Sequence, residues 1–321
     1  MTARERITKV LNFEKPQDRL PMIEWATWWD KTYKRWQNDG LDVEFDDMIS
    51  YFGLDDLKTV RFVGITGEAT ITDMASYEAI SAQLYTDDQI EIGLQELRKL
   101  KEAHEKGDFA IRIWLDGFFW FPRSLMGIEN HMYAFYDHPE LMHRINDDVC
   151  KFNQRALEAI FNTINPDMIG FGEDMSYNHG PMLSQDSFDE FLAPYYRRLI
   201  PYIKKQGVKV LIDSDGDIMP LIPWLVDIDA DGIYPLERQS HVDVAEIRRL
   251  YPNLLMLGAY DKLVMSKGEK AMREEFERLL PVMRMGGFIP SVDHQTPPEV
   301  SLENYRIYLK LFKEYCEKAV K

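Results

Sequence analysis

Lys209–Asp217, KVLIDSDGD, joins a short apolar run to three acids within five positions. Val210, Leu211 and Ile212, bounded by Gly207 and Gly216, have the pattern of a parallel strand covered on both faces. Asp213, Asp215 and Asp217 crowd where that strand ends, and a helical pattern begins at Ile218. In parallel α/β folds, ligands bind at strand C-termini and in the loops that follow them. Carboxylates this close repel one another and call for a cation, hydrogen-bond donors or solvent. Asp217 reads as a helix cap, whereas Asp213 and Asp215 point to a site.

The same pattern recurs along the chain. Thr2–Leu11 reads as a first helix with a Thr2/Glu5 capping box. Strands are expected at Leu20–Trp25, Lys58–Val63, Ala110–Leu115, Met168–Phe171, Gly232–Leu236, Leu254–Leu257 and Gly287–Val292, besides the one quoted above. Helical patterns separate them, including Asp87–Lys106, a long one from Asp137, one capped by Ser184, Lys267–Met285, and a last one capped by Ser301. Eight strands alternating with helices predict a single (β/α)8 TIM barrel spanning residues 1–321. GITGEATITDMASY, with Ile65, Ala69, Ile71 and Met74 alternating, predicts an N-terminal hairpin insert. No strand is followed by a Gly-rich phosphate fingerprint, which speaks against a doubly wound dinucleotide fold.

With 38 Lys+Arg against 54 Asp+Glu, the formal charge is -16. No basic surplus meets phosphates, so nucleic acid and anionic membrane are not expected partners. The two cysteines, Cys150 and Cys316, have neither disulfide nor metal spacing. With no signal-peptide pattern and no apolar span, a soluble protein of the reducing cytoplasm is expected. The aromatic content allows a homodimer.

On the expected barrel, the strand ends collect Glu24, Asp116, Glu173, Asp174, Asp213, Asp215, Glu237, Asp261, Asp293 and His294. Asp215, Glu237 and His294 form a candidate set for a divalent metal, zinc by preference. An acid–arginine network using Arg61, Arg112 and Arg238 satisfies the same charges without metal. His294, in the loop SVDHQTPPEV beside Asp293, suits an acid/base or ligand role. Asp215, Glu173 and Asp174 are the other catalytic candidates. Trp25, Trp28, Trp29, Phe119, Tyr177, His179 and Tyr260 are candidate substrate contacts. Helix-face packing is the competing role for the tryptophans, and a turn role for His179.

RERITKVLNFEKPQDRLP, FGEDMSYNHGPMLSQDSFDEFLAPYYRRLI, LIDSDGD and GGFIPSVDHQTPPEVSLENYRIYL together resemble the uroporphyrinogen decarboxylase superfamily over nearly the whole chain. The resemblance implies a (β/α)8 barrel. It also implies one of two chemistries: cofactor-free decarboxylation of uroporphyrinogen acetates, or methyl transfer with a corrinoid protein, often on a zinc held by His-x-Cys and a later Cys. EWATWWDKTYKRW stands where the decarboxylases carry an arginine-rich loop, which leaves substrate carboxylates without partners. Asp213-Ser214-Asp215 stands at the His-x-Cys position and Asp293-His294 near the late thiolate, replacing soft sulfur with hard oxygen.

The resemblance therefore favours a methyltransferase moving a methyl group between a small methylated compound, such as a methoxylated aromatic, and a corrinoid on a separate protein. A cofactor-independent decarboxylase of uroporphyrinogen or a related acid is the alternative, with Asp174 or His294 as proton donor. A non-catalytic ligand-binding barrel is the third reading.

Overall fold

The computed structural model describes residues 1–64 and 71–321. The strands are β1 (Asp56–Phe62), β2 (Phe109–Asp116), β3 (Met168–Gly172), β4 (Ser176–Tyr177), β5 (Gly180–Pro181), β6 (Lys209–Asp213), β7 (Gly232–Tyr234), β8 (Leu255–Tyr260) and β9 (Phe288–Val292). A seven-stranded sheet has the order β1-β2-β3-β6-β7-β8-β9, while β4 and β5 form a separate antiparallel pair. The pairs β2–β3, β3–β6 and β8–β9 are parallel, and helices fill the connections. This is the α/β alternation expected from the sequence, with seven sheet strands rather than eight among the described residues.

Leu20–Trp25 is the missing strand, and its hydrogen bonds explain why. Met22 N–H donates to the Asp55 carboxylate at 2.9 Å, and Asp55 N–H returns to the Met22 carbonyl at 2.7 Å. Leu20 N–H goes to the Cys316 carbonyl and Trp25 N–H to Ser291 Oγ, while Pro21 has no N–H to offer. The donors are spent on side chains and a helix carbonyl instead of a ladder. The expected hairpin falls partly on residues 65–70, which lie outside the described residues. Met74 at its far end instead opens the helix Met74–Leu84, with Asp73 and Ser76 forming a capping box.

The chain divides into two compact units. The first comprises Met1–Lys58, Ala103–Ala110 and Ile233–Lys321, and the second Thr59–Glu102 and Ile111–Gly232. In the second unit the register sorts side chains cleanly. Arg112, Trp114 and Asp116 of β2 share one face with Met168, Gly170 and Gly172 of β3 and with Lys209, Leu211 and Asp213 of β6. The opposite face carries Ile113, Leu115, Ile169, Phe171, Val210 and Ile212, all buried. Phe171 packs there against Phe118 and Tyr196.

The first unit has an aromatic core. Tyr260 lies 4.5 Å from Phe276 and 4.9 Å from Tyr308, between ring centroids. Trp28, Trp36, Phe52 and Tyr305 form a second cluster, with Trp36 and Tyr305 at 4.5 Å. Each such side chain contributes about 1.5–3 kcal/mol by burial. The first helix is Ala3–Leu11 with both halves of the Thr2/Glu5 capping box formed, and Ser301 caps Leu302–Val320. The helix expected after Ser184 is two, Gln185–Phe191 and Ala193–Lys205.

Candidate functional site

In the second unit, β2, β3 and β6 end on one row. Asp116 pairs in register with Gly172, and Gly172 with Asp213, so the two acids flank a position without a side chain. With strands about 4.8 Å apart, their Cα atoms stand about 10 Å from each other on one face. Trp114 leans over the gap: a Cβ on Gly172 would lie 2.3 Å from its ring. The Arg61 guanidinium sits 4.6 Å from the same ring. Arg112 is nearly buried and donates through Nε and Nη2 to Thr59 Oγ1 at 3.1 and 2.9 Å.

This environment raises the pKa of the acids in it. Burial pushes the Asp116 carboxyl up to about 7, against a 2.6 Å hydrogen bond from Gly64 N–H. Burial raises Asp213 well above the usual carboxylate range, reinforced by the charge of Asp215 and opposed by Arg112.

Glu173 has a different task. Its Oε1 accepts from Phe118 N–H at 2.8 Å and from the Tyr196 hydroxyl. Its Oε2 accepts from Phe119 N–H at 2.7 Å and Trp120 N–H at 3.2 Å. It thus anchors the aromatic loop at the start of the helix Trp120–Met126. Neighbouring Asp174 adopts a left-handed backbone, φ 44°, and holds Arg123 at 2.6 Å.

The loops after β3 and β6 are tied together. Met175 N–H donates to Ser214 Oγ at 3.1 Å, Ser176 Oγ to the Asp217 carbonyl at 2.6 Å, and Asp217 N–H to the Tyr177 carbonyl at 2.9 Å. Gly216, at φ 83°, permits this approach, since a Cβ there would lie 2.7 Å from the Tyr177 backbone. Asp217 also accepts from Met219 N–H at 3.2 Å, ahead of a helix that starts only at Ile222. Its role is to turn the chain.

In the first unit, Asp293 is wholly buried at the end of β9. Its Oδ1 accepts from Lys262 N–H and Nζ at 3.3 and 3.2 Å, and its Oδ2 from Arg238 N–H at 3.2 Å. Burial pushes this carboxyl up to about 6 while Lys262 pulls it down. Lys262 Nζ also reaches Gln239 Oε1 at 3.0 Å and Glu237 Oε1 at 4.0 Å. His294 Nδ1 accepts from Gln295 N–H at 2.8 Å, and its ring stands edge-on to Trp25 at 5.7 Å. Trp25 in turn donates through Nε1 to the Val292 carbonyl at 2.9 Å. Glu24 is buried, takes a 3.1 Å hydrogen bond from the Tyr305 hydroxyl, and is pushed up to about 8 by burial.

Glu237 and His294 thus lie in the first unit and Asp215 in the second. Among the described residues, no group of three or more His, Cys, Asp or Glu stands ready to hold a metal ion. Lys262 pairs with Asp293 and Glu237. Of the aromatic candidates, Phe119 is buried against His131 at 4.7 Å, Trp28 lies in the core cluster, and Tyr260 packs under the helices. These three are packing residues, because each ring is enclosed by other rings. Trp25 is partly exposed, and Trp29, Tyr177 and His179 are exposed, the last two on the β4–β5 turn.

Sequence reasoning passed over Trp114, Arg123 and Lys262 as site residues. The alternating glycines of β3 opposite Trp114 were the available signal for the first. Nothing local announced the others.

Parallel strands whose ionisable groups gather at their C-terminal ends define an α/β protein of the strand-end-site class. Residues 68–315 match the uroporphyrinogen decarboxylase (URO-D) family, and the chain belongs to that family. Among solved structures, a methyltransferase from Methanosarcina mazei is 14% identical, with a TM-score of 0.71 over 98% of this chain and 99% of that one. That likeness establishes a shared fold. A uronate isomerase from Bacillus halodurans aligns at 10% identity and a TM-score of only 0.35, over 98% of this chain and 87% of that one. A comparison with curated protein sequences gave no match. Among the described residues no helix is long and apolar enough to cross a membrane.

Proposed function

We propose that the protein transfers a methyl group from a small methylated compound, of the methoxylated aromatic type, to a corrinoid carried by a separate protein. Family membership and the fold shared with a methyltransferase support this reading. The observation that carries it is the row Asp116–Gly172–Asp213, with Trp114 laid across the gap. The Trp114 indole that fills this rung offers a flat face, and a carboxyl on either side suits the polar edge of a flat ligand.

The corrinoid would supply the electron pair that receives the methyl group. The carbon–oxygen bond of the donor breaks, its electron pair stays on oxygen, and that oxygen takes a proton. Asp116 and Asp213, both raised toward neutrality, are the groups suited to provide it. Neither cysteine suits the task of methyl acceptor or soft metal ligand. Both are buried in helices, with burial pushing Cys150 up to about 11 and raising Cys316 well above the ordinary thiol value. The described donor set does not fit zinc, and no step is assigned to a metal.

The test is loss of the donor's methyl group, followed by mass spectrometry, in a mixture with a reduced corrinoid protein already proven competent. Demethylation that falls about 10²-fold or more in Asp213→Asn supports the proposal. Inertness across methoxylated donors refutes it. Carbon dioxide release from a carboxylic acid without the partner would establish the decarboxylase reading, for which the same raised acids and the flanking Arg61 and Arg112 also speak.

A further inference from the structure

The acids at the strand ends of the first unit are organised around an ammonium. Lys262 Nζ stands 3.2 Å from Asp293 Oδ1, 3.0 Å from Gln239 Oε1 and 4.0 Å from Glu237 Oε1. Gln239 is oriented for this by its other end, where Nε2 donates to Asp261 Oδ1 at 2.7 Å. The lysine side chain is only 16% exposed, and Asp293 has no exposure at all.

The backbone is bent to bring it there. Gly258 and Ala259 at the end of β8 have φ of 109° and 77°, the second in a region that costs a non-glycine residue about 1–3 kcal/mol. Partners from the helix Glu269–Met283 hold that bend. Arg278 Nη2 donates to the Ala259 carbonyl at 3.0 Å, and Glu275 accepts from Asp261 N–H at 3.0 Å.

Two carboxylates and an amide oxygen converging from two loops, Glu237 and Gln239 after β7 and Asp293 after β9, are also what a hard divalent ion requires, at about 2.0–2.6 Å. Here one positive charge already lies among them, covalently attached. We propose that Lys262 is the resident cation of this strand end, filling the place that a divalent ion would take among Asp293, Glu237 and Gln239. The proposal concerns the first unit alone and stands apart from the reading above. Its test does not depend on activity.

Wild-type, Lys262→Met and Lys262→Arg proteins would each be dialysed against manganese or zinc and assayed for bound metal. Wild type and the arginine variant are expected to retain none in stoichiometric amount. The methionine variant should gain about one ion per chain, lost again when Glu237→Gln is added. About one ion per wild-type chain, released by Glu237→Gln or His294→Ala, would overturn the proposal, as would a folded methionine variant that binds none. Should that variant not fold, Lys262→Ala would be melted with and without methylammonium. Stabilisation confined to the variant supports a cation slot, and an equal effect on wild type refutes it.

Discussion

Replacing Glu24 by glutamine should make the stability of the protein less sensitive to pH. Glu24 is buried against Tyr305, and desolvation pushes it from 4.5 up to about 8, opposed by the hydrogen bond from the Tyr305 hydroxyl. Between these values the folded state keeps the proton and the unfolded state releases it. Stability from this group is therefore fully present below about pH 4.5 and is lost as pH rises toward 8. The slope is about 1.4 kcal/mol per pH unit, or about 5 kcal/mol across the window, as an order of magnitude. Glutamine is nearly isosteric, keeps a carbonyl oxygen for the Tyr305 hydroxyl and cannot ionise. Urea unfolding of wild type and Glu24→Gln at a series of pH values from 5 to 8 measures the difference. The variant should gain stability relative to wild type as pH rises. Asp116 and Asp293 titrate in both proteins and cancel in the comparison. A difference independent of pH would show that Glu24 is ionised in the folded protein and would refute the desolvation argument.

Glu173→Gln replaces one acceptor oxygen with an NH2 donor that faces backbone N–H donors, so about 3–5 kcal/mol of stability should be lost, read by urea unfolding. Full retention of stability would deny that the carboxylate anchors the Phe118–Trp120 loop. Gly216→Ala meets both a φ of 83° and the Tyr177 backbone, and should cost about 1–3 kcal/mol and raise exchange of the Asp217 amide. An unchanged exchange rate would show that the two loops are held together by something else.

The sequence by itself determined the elements whose cause is local. Thr2 with Glu5 and Ser301 before Leu302 cap helices through atoms three residues away, so those starts were legible. Val210–Ile212 and its acidic end were equally legible, because a strand buried on both faces needs only its own apolar run. Leu20–Trp25 has the same pattern, yet its donors go to Asp55, Cys316 and Ser291, and no local rule foresees such distant acceptors. The acids at the strand ends are visible in the sequence as candidates, but their partners belong to tertiary structure. Register alone sets Asp116 beside Gly172 and Asp213, and only the close approach of Trp114 shows why that rung must lack a side chain. Glu237 and His294 read as metal ligands because carboxylate and imidazole donors suit a divalent ion. The fold instead carries Lys262 to Asp293 across 31 positions, and a charge that arrives from so far leaves no trace in the local pattern of either residue.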